Sequence, residues 1–213
     1  MPVPLVPVKA LAEAKGRLAP AVGPLQRRLL AIAMFEDVIA ALQAVPGLAA
    51  PVVVSPDREV WRRADAMGCR VVEEPPGAGD LNRSLAFAAA AGNGSALLVV
   101  AADLPLASAA GLERVLAAAE APVAVVPSHD GGGTNVLAWR DPASFAPSFG
   151  PDSAARHLAV PGAVRVDEPG LALDVDTAAD LELVAGRLDP SSVTARRLKD
   201  LAMLPVTGST EEA

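Results

Sequence analysis

Short apolar runs alternate with longer segments of helical period along the first two thirds of the chain. The most uniform run is residues 96–102, ALLVVAA, which leads straight into Asp103-Leu104-Pro105. An unbroken apolar stretch of this length, closed by turn residues, predicts a strand buried on both faces at the centre of a parallel sheet. Residues 3–8, 52–54, 69–73 and 123–127 are further Val-rich runs next to turn formers and predict more strands. Pro2, Pro4 and Pro7 predict that the first of these is weak or lies near an edge.

The intervening segments carry the other period. Leu25, Leu29, Ile32, Met34, Phe35 and Ile39 recur at helical spacing behind Pro24, a residue suited to a first helical turn. Further helices are predicted over 58–66, 83–91, 109–119, 153–158 and 177–185. Thr177 and Asp180 give the last of these a capping-box spacing, and Gly186 is placed to end it. Residues 9–20 and 75–82 read as loops, the first with one helical turn, and Asn93-Gly94 as a turn. Strand and helix alternate through residue 127, which predicts βαβ units: an α/β, Rossmann-like, mostly parallel sheet with helices on both faces. Beyond that point loops are denser. A short strand over 136–139, an extended segment over 170–175 and a small antiparallel addition over the sheet's carboxyl edge are expected. There is no internal repeat or linker, so residues 1–205 read as one domain and 206–213 as a polar, disordered tail.

Composition narrows the class. The chain is 52% hydrophobic but only 3% aromatic, so Ala, Val and Leu must build the core. A net charge of −7 argues against a nucleic-acid groove or an anionic membrane surface as partner. One cysteine, Cys69, excludes an internal disulfide and any cysteine-rich metal site. No secretory signal or membrane-length apolar run is evident, and a cytoplasmic protein is expected.

Three clusters could carry chemistry. Asp103 closes the predicted central strand, where open α/β sheets bind their ligands, although Asp also caps turns. Asp174 and Asp176 lie two apart in an extended segment and so share a face. With Asp103 they would offer Mg²⁺ the one or two carboxylates it takes alongside substrate phosphates, although Asp176 is also placed to cap the next helix. Lys9, Lys15 and Arg17 follow the first strand. Through Arg28 the chain carries five cations against Glu13 alone, which suits either a phosphate-holding loop or a solvated basic one. Lastly, Gly131-Gly132-Gly133-Thr134-Asn135 and Phe149-Gly150-Pro151-Asp152-Ser153 would let backbone approach an anion, with Thr134 and Ser153 adding hydroxyls; a hairpin turn and an N-cap are the plainer readings. There is no GxxxxGK[ST], complete GxGxxG, GxSxG or HExxH motif, and His157, which from the helix after Ser153 could approach an anion, reads rather as an ordinary surface or capping residue.

Taken together, VPVKALAEAKGRL, AADLPL, GGTNVL, FGPDSAARH and LALDVDTAADL, in this order from about residue 3 to 185, closely resemble the phosphoenolpyruvate/2-phospho-L-lactate guanylyltransferases of coenzyme F(420) biosynthesis. The resemblance implies a nucleotidyltransferase variant of the Rossmann-like sheet, with GTP and a small phosphorylated acid as substrates and pyrophosphate as product. It implies that Thr134, Gly150 and Ser153 hold the acid, and that Asp103 with one or both of Asp174 and Asp176 holds Mg²⁺. Lys9, Lys15 and Arg17 would engage the triphosphate, with Asp103 completing the catalytic set. Gly79 and Asn82 would face the guanine or ribose, although Asp80 interrupts the usual Gly-Leu-Asn. A related transferase with another acceptor (3-phosphoglycerate, a sugar phosphate or molybdopterin) and a catalytically silent nucleotide-binding protein are the alternatives. The sequence does not fix the assembly; a homodimer is one option.

Overall fold

The computed structural model describes residues 1–13, 15–73, 80–90 and 95–202. The predicted positions Gly79 and Asn93-Gly94 and the 206–213 tail lie outside them. Seven strands form one sheet: β1 (Val3–Pro7), β2 (Val52–Ser55), β3 (Arg70–Glu73), β4 (Leu97–Val100), β5 (Val123–Pro127), β6 (Thr134–Trp139) and β7 (Val164–Arg165). Their order is β3-β2-β1-β4-β6-β5-β7, so the run around Leu97–Val100 lies at the centre, fully buried. β3, β2, β1 and β4 are mutually parallel, whereas β6 runs antiparallel to both β4 and β5.

Among the described residues eight α-helices accompany the sheet: α1 (Pro24–Gln43), α2 (Arg58–Ala66), α3 (Leu81–Ala90), α4 (Ala109–Ala118), α5 (Ser153–Leu158), α6 (Pro169–Ala172), α7 (Ala178–Ala185) and α8 (Val193–Ala202). Their starts follow local chemistry. Pro24 opens α1, Asp57 and Ser108 cap α2 and α4, and Thr177 with Asp180 forms the predicted capping box on α7. The Asp37 carboxylate on α1 accepts from the Val193 and Thr194 N–H groups and so caps α8 from a distance.

The period-2 alternation of each strand divides the core between two faces. Val6, Val53, Leu98, Val100, Val126 and Val136 pack against α1, α2, α4 and α6. Leu5, Val54, Val99, Val125, Leu137 and Trp139 pack against α3 and the α5 side. A third cluster joins Leu18 of the first loop to Leu30 and Met34 of α1, Leu173, Val175 and Val184. It presses the loop after β1 and the segment before α7 against the same helix.

Three expectations need correction. β1 is interior, between β2 and β4, despite its prolines. Val3 N–H donates to Ala96 O on the β4 side and Val8 N–H to Val54 O on the β2 side, so odd positions point to β4 and even ones to β2. Pairing with β2 begins only at Leu5, and pairing with β4 ends there. The N–H that Pro4 lacks would point at β2 before that ladder starts, and the one Pro7 lacks would point at β4 just past Leu5, so Pro7 stands where that ladder stops and interrupts neither. Second, the antiparallel element is no addition over the sheet's edge. It is β6 itself, inserted between β4 and β5 and starting at Thr134, two residues before the predicted strand. Third, residues 170–172 are not extended: Pro169 starts the α6 turn, in which the Leu171 and Ala172 N–H groups both donate to Glu168 O.

Candidate active site at the β1–β4 switch point

The order of the parallel strands reverses between β1 and β4. The chain runs outward from β1 through β2 to β3, then returns to the other side of β1 as β4. Crevices at the carboxyl ends of such a strand pair are where open α/β sheets place ligands. The loop carrying Lys9, Lys15 and Arg17 leaves β1 there, and Asp103 follows β4. The loop is held by two contacts: Leu18 is fully buried in the third cluster, and the Leu11 N–H donates to Asp57 Oδ2 at 2.9 Å beyond the end of β2. Lys15 itself adopts a left-handed backbone (φ 55°), a conformation uncommon for a side-chain-bearing residue.

Lys15 is the centre of the first half-site. Its Nζ lies 2.5 Å from Asp103 Oδ2 and 3.1 Å from Asp176 Oδ1, and Arg17 Nη1 is 3.6 Å from Asp176 Oδ2. Burial alone would lower the Lys15 pKa, but Asp103 and then Asp176 outweigh it and hold the ammonium above its ordinary value. Asp174 stands beside them, bonded by Asn135 Nδ2 at 3.1 Å. Burial, together with the charges of Asp103 and Asp176, pushes its carboxyl above the usual range, the Asn135 bond opposing them only in part. His129 lies between Asp174 (3.6 Å) and Asp180 (3.4 Å). Lys9 is exposed just past β1.

Among the described residues no three acidic, histidine or cysteine side chains stand at metal-binding spacing, and Lys15 sits between Asp103 and Asp176. The donor set still fits Mg²⁺. It is made of hard carboxylate oxygens, two of which suffice when substrate phosphates complete the shell.

The second half-site lies on the α5 side. Thr134 Oγ1 is 2.9 Å from His157 Nδ1, and the Ser148 N–H donates to His157 Nε2 at 3.0 Å. Phe149 packs edge-on to the same ring at 4.9 Å. Ser153, also predicted, is buried at the start of α5. Gly150 has φ +124°, a conformation that favours glycine. The 148–151 loop is tied down from both sides. Asn82 Oδ1 accepts from Phe149 N–H at 2.7 Å and Asn82 Nδ2 donates to Phe149 O at 3.1 Å. Arg156 donates to Ser148 O and Pro151 O. Asn82, read from the sequence as a base or ribose contact, is here a brace of this loop. His157 is a buried, doubly bonded residue rather than a surface or capping one.

A β-bulge joins the half-sites. Val126 pairs with Val136 but Pro127 pairs with Thr134, so Asn135 is an extra residue on β6. Val136 and Ala138 face the α1 and α4 side, and Leu137 and Trp139 the α3 side. Unbroken alternation would send Thr134 with Val136 and Asn135 with Leu137. The bulge reverses both: Asn135 Nδ2 reaches Leu171 O, Ala172 O and Asp174, while Thr134 reaches His157. Sequence reasoning gave His129 no role, placed Asn135 in a glycine-rich turn without assigning its side chain a role, and set the plainer reading of His157 above its approach to an anion. The available signal was a polar Thr-Asn pair heading an apolar strand.

A family model described as "Guanylyl transferase CofC like" matches residues 3–187. The chain is 45% identical over 207 residues to the phosphoenolpyruvate guanylyltransferase of Nocardia farcinica (strain IFM 10152), spanning 92% of this chain and 90% of that protein. It is 38% identical over 195 residues to the phosphoenolpyruvate guanylyltransferase of Sphaerobacter thermophilus, spanning 86% and 92%. A nucleotidyl transferase from Methanothermobacter thermautotroptrophicus shares the fold at 19% identity, with a TM-score of 0.61 over 93% of this chain and 98% of that one. With its motifs in family order and its charged loop, carboxylates and glycine turns gathered at one sheet edge, the chain belongs to the CofC-like guanylyl transferase family and is a nucleotidyltransferase.

Proposed function

We propose that the protein joins the guanylyl group of GTP to a phosphorylated three-carbon acid, phosphoenolpyruvate in preference to 2-phospho-L-lactate, in coenzyme F(420) biosynthesis. The observation that carries this reading is the pairing of two half-sites, one built around Lys15 and carboxylates, the other around Thr134 and Gly150, in a chain 45% identical to a phosphoenolpyruvate guanylyltransferase. A phosphate oxygen of the acid attacks the α-phosphorus of GTP, the bond to the β-phosphate oxygen breaks, and pyrophosphate leaves. The attacking phosphate is already ionised at neutral pH, so no protein nucleophile or strong base is required.

The obstacle is repulsion between two anions, and positioned cations lower it. Lys9, Lys15 and Arg17 act on the triphosphate. Asp103, with Asp174 or Asp176, would hold Mg²⁺, which when bound neutralises charge developing on the phosphates. Thr134, Gly150 and Ser153 hold the acid. The family resemblance assigns Gly79 to the nucleoside, while Asn82 braces the 148–151 loop beside the acid.

Pyrophosphate release from GTP with phosphoenolpyruvate, 2-phospho-L-lactate and 3-phosphoglycerate, each with and without Mg²⁺, tests the reading. Mg²⁺-dependent release with phosphoenolpyruvate is expected. Release with none of the acids, or release indifferent to the metal, overturns it.

A further inference from the structure

The two ring nitrogens of His157 have different neighbours, and these settle the ring's protonation. Ser148 offers a backbone N–H to Nε2 at 3.0 Å. A backbone N–H can only donate, so Nε2 must be an unprotonated acceptor. The neutral ring then carries its single proton on Nδ1, which faces Thr134 Oγ1 at 2.9 Å. A hydroxyl has one proton to give. Once Thr134 Oγ1 accepts from His157, its own O–H is left to donate elsewhere. Burial, with Arg156 adding to it, draws the His157 pKa down to about 4, so the ring stays neutral at ordinary pH. His157 and Thr134 are 1% and 7% exposed, which keeps water from competing freely for either bond.

We propose that His157 is a positioning residue that turns the Thr134 hydroxyl into an obligate donor toward an oxygen of the bound phosphorylated acid, through the chain Ser148 N–H to Nε2 and Nδ1–H to Oγ1. The proposal rests on the reading that the acid binds at Thr134. It assigns the acid's affinity, and not the nucleotide's, to a side chain that touches neither substrate. An anion offers only acceptors, so a hydroxyl fixed as a donor matches it, whereas a freely rotating one spends part of its time presenting a lone pair.

Two substitutions separate this role from loop support. In His157→Gln the longer amide reaches the Nε2 position and can still accept from Ser148, but nothing donates to Thr134. In His157→Asn the amide reaches the Nδ1 position and can still donate to Thr134, while Ser148 loses its acceptor. His157→Gln is expected to raise KM for phosphoenolpyruvate about tenfold, the equivalent of one hydrogen bond, with KM for GTP unchanged. His157→Asn should recover most of that loss, and His157→Gln should add nothing to Thr134→Val.

Long-range ¹⁵N NMR of the unsubstituted protein should show the Nδ1–H tautomer. An Nε2–H tautomer, an unchanged acid KM in His157→Gln, equal rises in both KM values, or additive losses with Thr134→Val would each overturn the proposal. If the unsubstituted protein releases no pyrophosphate from GTP and phosphoenolpyruvate, the reading of function fails separately. Calorimetric binding of inorganic phosphate then decides: weaker binding in His157→Gln supports the proposal, and equal binding in both or none in either overturns it.

Discussion

Lys15 and Asp103, 88 positions apart in sequence, meet at 2.5 Å across the gap between the first and central strands. The same ammonium reaches Asp176. One cation therefore ties the loop after β1 to the segment before α7 over the end of the sheet. Replacing Lys15 with Met should lower kcat at least about a hundredfold, since a cation is lost where phosphate charge must be met. It should also cost about 1–3 kcal/mol of stability in urea titrations at neutral pH, less than a fully buried pair because both carboxylates are partly exposed. The raised Lys15 pKa means this contribution is present below the ordinary lysine range and fades only as the pH rises through the folded-state value.

Asp103→Asn keeps the size and the turn after β4. It is expected to retain the fold by circular dichroism while turnover falls about a hundredfold or more. Near-normal turnover in well-folded protein would remove Asp103 from the proposed Mg²⁺ site.

Asn135→Ala strips the Leu171 and Ala172 carbonyls of their donor. The expected cost is ~1–3 kcal/mol, read by denaturant unfolding. Because the Asn135 bond opposes the upward push on Asp174, the variant should also need more Mg²⁺ for half-maximal activity, and its Asp174 should titrate at higher pH.

Stability should depend on pH through His157. Its folded-state pKa of about 4 lies below its ordinary value, so between these values the unfolded chain binds a proton that the native one refuses. Stability is therefore highest above about pH 6.5 and declines as the pH falls toward 4. In His157→Asn that part of the decline should vanish from a series of melts taken across this window.

Asn82→Ala releases both backbone groups of Phe149. KM for the acid should rise while discrimination between GTP and ATP stays constant, as measured by competing the two nucleotides. A change in base preference instead would return Asn82 to direct nucleotide contact.

Much of this was legible because local signals agreed. The uniform run of residues 97–100 announced the central strand, Thr177 and Asp180 announced their capping box, and the carboxylates and cations fell at strand ends, where topology gathers them. The prolines of β1 misled because a missing N–H matters only where a neighbour waits for it, and that depends on where each ladder starts and stops. The roles of Thr134 and Asn135 could not be read from alternation, since alternation assigns each the wrong face. His157 looked ordinary because its partners, Ser148 and Thr134, are apart from it in sequence and converge only when α5 closes on β6.

The bulge at Asn135 lets the two halves of the crevice change independently. Removing that one amino acid would straighten the strand, yet Thr134, then next to Val136, would keep the α5 face that plain alternation gives it, so the loss would fall on the Asp174 side alone. Relatives without the extra residue should therefore grip the acid as before and differ in how they hold the carboxylates.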